Sequence, residues 1–294
     1  PITSKPRLAH GLLAAQRLRV GRHTEGWDDL LDRVEPAVVV SGAPFRGNDS
    51  AALLSAQRRG IPTVGHIINW DHVTNQGCPV AMPDQLLSWG AGMSAQIERV
   101  YRCAPGIITA TGPLQAAVLQ RGAALSRSEV LGLVGLPDPS RYLLFALSLP
   151  FHAPTEIDVA RWVADRAERE DDLYVVIRPH PQSLAGFTAA SEAWRQKLAD
   201  LTEHPRVRIS TPLLAREQDD AWAMQSDDSL HYAGLLRNAV GCLTSGSTAG
   251  VESMMCGRPP ILTFFDAEGT PAAGGSSAAN SANYPHLRAF IDLP

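Results

Sequence analysis

The sequence is poor in the features that define several protein classes. It has four cysteines in 294 residues, Cys78, Cys103, Cys242 and Cys256. No two of them form a C-x-x-C pair, which argues against a zinc site. Cys242 and Cys256 sit in apolar patterns and read as reduced core thiols of a cytoplasmic protein. No run of about 18 apolar residues occurs, which argues against a transmembrane helix. A basic excess is also missing: the formal net charge is -4, which speaks against a nucleic-acid partner. No repeat of fixed short period is present. No D-x-D motif leads into an apolar strand, so no metal is expected, and no resident cofactor either. Acids are absent before Glu25, whereas Lys5, Arg7, Arg17, Arg19 and Arg22 fall there. With Leu8, Leu12 and Ala15 at helical spacing, this segment reads as a basic amphipathic helix. Such a helix is either a solvated face or a peripheral contact with anionic lipid at the inner face of the membrane. The chain opens on Pro1, and only four strands are legible before residue 113, so the first domain is expected to be truncated at its start.

What is present is an ordinary globular composition, 45% hydrophobic and 19% charged, at a length that fits about two domains. Short β-branched runs alternate with helical patterns. "PAVVVSG" (36–42), "IPTVGHIIN", "DQLLSWG" and "GIITATG" read as strands, with helices over "SAALLSAQRRG" and "MSAQIERVY". The turn-rich "LPDPS" breaks the rhythm, and the alternation restarts at Tyr142. Five further strands follow: "RYLLFALSLP", "LYVVIRPHP", "RVRISTP", "VGCLTSG" and "PPILTFFD". The reading is α/β, two Rossmann-like domains facing a cleft, over residues 1–125 and 126–294. The Gly-, Ala- and Ser-rich stretch after Asp266 reads as a flexible tail.

Ligands of open parallel sheets bind beyond the carboxyl ends of the strands. Ser148 and His152 follow the first strand of the second half, and Arg178 and His180 follow the second. Ser245, Gly246, Ser247 and Thr248 follow the fourth, with Glu252 one turn later. Gly246 permits a tight turn, and Ser247 or Thr248 can cap the next helix. The unpaired N–H groups of that helix suit a phosphate, and Glu252 suits a ribose diol; the plainer alternative is a cap and a dipole-complementing acid. In "RPHP", prolines stiffen the loop around His180. Arg178 suits a pyrophosphate, or else an ion pair with an acid of "REDD" (169–172). His180 suits an oxyanion or a titrating role. Asp227 and Asp228 precede a helix and read as caps, or as groups reaching a sugar or metal. In the first half, "NWDHVTNQG" (69–77) shows no secondary-structure period. There Asp71 could deprotonate an acceptor hydroxyl beside Trp70, His72, Thr74 and Asn75. His66, inside its strand, reads as a satisfied core histidine.

Together, "VVIRPHPQS", "SDDSLHYAGLLRNAVGCLTSGSTAGVESMMCGRPPIL" and "NWDHVTNQG…PDQLLSWG…GIITATGPLQ" resemble the GT-B bacterial cell-surface glycosyltransferases, on their capsule-polysaccharide and CDP-glycerol glycerophosphotransferase-like branch. The strand, Ser/Thr turn, Glu-bearing helix and Gly-x-Pro strand also resemble the UDP-N-acetylglucosamine 2-epimerases. The resemblance spans roughly residues 36–266. It implies a nucleotide sugar or CDP-glycerol-type donor held by the second domain, at Ser148, Arg178, His180, Ser245, Gly246, Ser247, Thr248 and Glu252. It places a polysaccharide or lipid-linked acceptor on the first domain near Trp70, Asp71 and Thr74, with Asp71 and His180 catalytic. Two departures stand out: no Gly-rich loop near the front of the first domain, and no final helix crossing back to it.

Overall fold

In a computed structural model, residues 6–150, 152–184, 190–216 and 222–263 are described. Two compact units result, Pro1–Pro113 and Leu114–Pro294. The division falls before "QAAVLQR" rather than at residue 125, because that segment is a helix packed within the second unit.

The first unit begins with α1 (Pro6–Val20) and α2 (Glu25–Val34). Leu12 and Leu18 of α1 are exposed, and the side chain of Leu8 lies outside the described set. Four parallel strands follow: β1 (Val39–Ser41), β2 (Thr63–His66), β3 (Gln85–Ser88) and β4 (Ile108–Ala110). They lie in the order β1-β2-β3-β4. The connections carry α3 (Gly47–Arg58), α4 (His72–Asn75) and α5 (Ala91–Tyr101). Ile67, Val73, Leu86, Ile97 and Tyr101 form a core beneath α4 and α5. "NWDHVTNQG", expected to be irregular, therefore contains one helical turn.

In the second unit α6 (Gln115–Arg121) and α7 (Arg127–Leu133) precede the sheet. A full capping box starts α7, with the Ser126 hydroxyl and Glu129 satisfying each other's backbone N–H groups. The sheet contains β5 (Arg141–Ala146), β6 (Leu173–Arg178), β7 (Val207–Ile209), β10 (Gly241–Thr244) and β11 (Pro260–Leu262). An antiparallel pair, β8 (Leu214–Arg216) and β9 (Trp222–Met224), stands apart; the sequence pattern did not reveal it. The helices are α8 (Glu156–Ala167), the short α9 (Pro181–Leu184), α10 (Glu192–Thr202), α11 (Ser226–Asn238) and α12 (Thr248–Met255).

Side-chain alternation sends successive residues of β5 to opposite faces. Tyr142, Leu144 and Ala146 pack with Leu119, Val130, Leu131, Leu235 and Leu236 of α6, α7 and α11. Phe145 and Leu147 pack with Ile157, Val163, Trp194 and Leu201 of α8 and α10. The Tyr142 hydroxyl, fully buried, donates to the Leu235 carbonyl at 2.8 Å. Both faces of this parallel sheet are thus covered, as its near-continuous apolar strands require.

The strand order is β11-β10-β5-β6-β7. The chain moves outward from β5 through β6 and β7, then returns to the other side of β5 for β10 and β11. A topological switch point therefore lies between β5 and β10, where such sheets open a ligand crevice. No helix among the described residues is long and apolar enough to cross a membrane. The tail after Asp266, like the last residues of "PPILTFFD", lies outside the described residues.

Candidate functional site

The switch point holds a polar cluster. The Ser148 and Ser245 hydroxyls, from the loops after β5 and β10, meet at 2.6 Å. Glu156, the first residue of α8, turns back into this junction and is 4% exposed. Its Oε2 accepts the Ser148 N–H at 2.6 Å, while Oε1 has no hydrogen-bond partner. The Ser245 hydroxyl, then the Ser148 N–H and hydroxyl and the Ser245 N–H, favour the charged form without completing a bond to Oε1. Burial outweighs these effects and pushes the Glu156 pKa up to about 7. Sequence reading missed this residue, because an acid in a first turn looks like an ordinary complement to the helix dipole.

The "SGST" turn behaves differently from the expected cap. Gly246 has φ +84°, the left-handed conformation that favours glycine. Ser247 is the N-cap residue of α12, but its side chain makes no capping bond. Its hydroxyl pairs instead with Thr244 Oγ1 at 2.7 Å, and its N–H donates to the same oxygen at 3.2 Å. Thr248 is the first residue of the helix. The Ser247 side chain therefore does not cap the helix start where a phosphate was expected. Glu252 is half-buried and accepts the Tyr232 hydroxyl at 2.8 Å. Burial raises its pKa, and the Tyr232 bond opposes that rise.

Arg178 ends β6 and is 6% exposed. Its Nη2 donates to Asp228 Oδ2 at 2.5 Å and its Nη1 to Ser210 Oγ at 3.1 Å. The guanidinium carbon sits 5.2 Å from the centre of the Tyr232 ring. The alternative ion pair with "REDD" does not form: Glu170 and Asp172 bind Arg141 instead. Asp228 is not a free cap either, since its Oδ1 accepts the Leu213 N–H at 2.8 Å. The arginine of "RPHP" and the aspartate of "SDDS" thus satisfy each other, and two of the three guanidinium nitrogens are already committed. His180 is half-buried and its Nδ1 accepts the Gln182 N–H at 3.2 Å. Burial, helped by nearby His152, lowers its pKa to about 4, so it is neutral at pH 7. His152 is itself shifted down by burial.

In the first unit, Asp71 precedes α4, with Oδ2 accepting the Asn75 amide and Oδ1 buried without a partner. The Thr74 hydroxyl donates to the Asp71 carbonyl at 3.1 Å. Trp70 is half-buried beside them. His72 packs edge-on against Phe45, with ring centres 4.9 Å apart, and burial lowers its pKa. His66 is 3% exposed and neither ring nitrogen has a hydrogen-bond partner, so it is buried but not satisfied. Burial lowers its pKa as well. Among the described residues no group of three or more His, Cys, Asp or Glu could hold a metal ion. All four cysteines are free thiols; burial pushes Cys242 up to about 12 and Cys78 up to about 11.

The chain thus contains two Rossmann-like α/β units built on parallel sheets, the second with a polar cluster at its switch point. No family model and no curated protein matches the sequence. Solved structures do match the fold. The UDP-GlcNAc 2-epimerase of Neisseria meningitidis bound to UDP-GlcNAc aligns at TM-score 0.57 and 13% identity, over 94% of this chain and 76% of that one. The UDP-GlcNAc 2-epimerase of Methanocaldococcus jannaschii aligns at TM-score 0.58 and 14% identity, over 93% and 74%. The S. aureus MnaA–UDP co-structure aligns at TM-score 0.58 and 11% identity, over 93% and 70%. At such identities the likeness is one of fold.

Proposed function

We propose that the chain is an enzyme that binds a nucleotide-activated sugar, or a CDP-glycerol-type donor, through the second unit. It transfers the activated group to a cell-envelope polysaccharide or lipid-linked acceptor. One observation carries the reading: the Ser148–Ser245 hydroxyl pair over buried Glu156 at the switch point. Two hydroxyls at the carboxyl ends of adjacent parallel strands suit phosphoryl oxygens. The α12 N-terminus, with no serine cap, adds positive partial charge from the same loop as Ser245. In this reading Ser148, Ser245, Gly246, Ser247 and Thr248 hold the diphosphate, and Glu252 takes the sugar or ribose hydroxyls. Neutral His180 donates a hydrogen bond to the leaving phosphate. Arg178 contributes its charge from its place beside Asp228 rather than as an open two-pronged clamp. Trp70, Asp71 and Thr74 serve the acceptor, with Asp71 as base and no metal required.

A second reading is UDP-sugar 2-epimerisation, favoured by the fold shared with UDP-GlcNAc 2-epimerases. The first experiment is thermal denaturation with UDP, CDP, GDP and TDP and their sugars. A ligand at about 100 times its Kd adds roughly 2.7 kcal/mol of stability. Stabilisation by one of these, lost in Ser245→Ala, is expected. No stabilisation by any of them at millimolar concentration refutes a donor site. Product analysis in deuterated water then divides the two chemistries. Transfer consumes donor only with an acceptor, whereas inversion at C2 places deuterium there without one.

A further inference from the structure

Glu156 is a buried acid whose Oε1 is unpartnered, placed where the two serine hydroxyls meet. Each hydroxyl donates one hydrogen bond, and their mutual contact uses one of the two protons. The direction of the remaining bonds depends on the carboxyl. When Glu156 is ionised, the buried Ser245 hydroxyl turns its proton toward the carboxylate and Ser148 donates to Ser245. The outer oxygen of half-buried Ser148 then presents lone pairs, which repel an anion. When Glu156 carries a proton on Oε1, it donates to Ser245, Ser245 donates to Ser148, and Ser148 donates outward.

We propose that Glu156 is a positioning residue that takes up one proton from solvent when a nucleoside diphosphate binds. That proton reverses the Ser245–Ser148 chain so that Ser148 donates to a phosphoryl oxygen. The inference rests on the donor-site reading above. Bond by bond, one Oε1–H forms, both hydroxyls turn, and one O–H···O–P hydrogen bond is made; the Ser148 N–H stays on Oε2. A pKa of about 7, raised by burial, puts this proton within reach of neutral solution. An incoming anion disfavours the carboxylate further.

The other titratable groups on the surrounding elements are committed elsewhere or titrate away from this range. Arg178 of β6 pairs with Asp228 of α11. Asp158 of α8 binds Lys197 of α10. On α12, Glu252, which burial also shifts upward, is held by the Tyr232 hydroxyl, whose bond opposes that shift. His180 titrates near 4, and burial also lowers His152, which lies in the loop between β5 and α8.

The test uses the full chain and UDP, with CDP in parallel, titrated calorimetrically from pH 7.2 to 8.5 in two buffers of different ionisation enthalpy. Proton uptake per nucleotide should rise from roughly 0.6 at pH 7.2 toward one at pH 8.5, with Kd rising up to tenfold per pH unit. Glu156→Gln keeps the shape and a donating N–H, so its affinity should be flat with pH and tighter than wild type at pH 8.5. Ser148→Ala should weaken binding at every pH. Infrared spectra of the ligand-free protein give an independent reading. A protonated-carboxyl band titrating near pH 7 should be present in wild type and missing from Glu156→Gln. Binding without proton uptake, or no such band, overturns this inference and leaves the donor site standing. Failure of both nucleotides to bind at any pH overturns both.

Discussion

Arg178 and Asp228 form the most deeply buried ion pair described, with side chains 7% and 1% exposed. Arg178→Met removes the cation but keeps much of the stem volume. Asp228 then retains the Leu213 N–H and loses its one ion-pair partner among the described residues. Leaving one charge of a buried pair uncompensated costs about 3–5 kcal/mol. For a domain of about 150–250 residues, each kcal/mol moves Tm by about 2–4 °C, so a fall of roughly 6–20 °C is expected. Asp228→Leu should cost a similar amount, because it strands the guanidinium and also unpairs the Leu213 N–H. The double variant should be far less destabilised than the sum of the singles, since no unpaired charge remains. Urea unfolding at constant m gives the three values and hence the coupling. If Arg178→Met stays within about 1 kcal/mol of wild type, the pair is not a structural clamp, and Arg178 is free to serve a ligand as its main role.

Gly122 sits where a Cβ would lie 2.7 Å from the Ala233 carbonyl carbon and 2.9 Å from the Gly234 N, backbone atoms of α11 that cannot swing aside. Gly122→Ala should therefore cost about 1–3 kcal/mol through overpacking, measured by thermal or urea unfolding; unchanged stability would show that α6 does not lock onto α11 there. The folded pKa of His180 is depressed from 6.5 to about 4, so it contributes stability that is complete above 6.5 and lost as pH falls toward 4. His180→Gln should flatten that part of the stability–pH curve, and an unaltered acid limb would place His180 in contact with solvent.

Much of the fold was legible because β-branched runs and helical periods are local signals. β5, β6 and β10 all fall inside runs that read as strands, and Gly246 marked its turn. The division of the chain was less visible, since "QAAVLQR" joins the second unit only through its packing on α11. Within the site, the strand-end residues Ser148 and Ser245 were identified as a list, but their 2.6 Å contact was not. The Arg178–Asp228 pair joins two motifs that each suggested a different partner, and their 50-residue separation hides it from any local pattern. Glu156 was passed over for a related reason. Its burial is a property of how α8 returns over the sheet, and the residue itself is ordinary for a helix start.

The hydroxyl pair at the switch point also fixes when the site can exist. Ser148 and Ser245 are 97 residues apart, and every strand of the central sheet except β11 is reached before Ser245 is added. Closing so long a loop is entropically unfavourable until β6 and β7 have paired and β10 has returned alongside β5. A growing chain thus lacks this hydroxyl pair until residue 245 has been made. Assembly of the proposed donor site is then a late event of folding, and a chain stopped before residue 245 lacks half of the pair however well its early strands have formed.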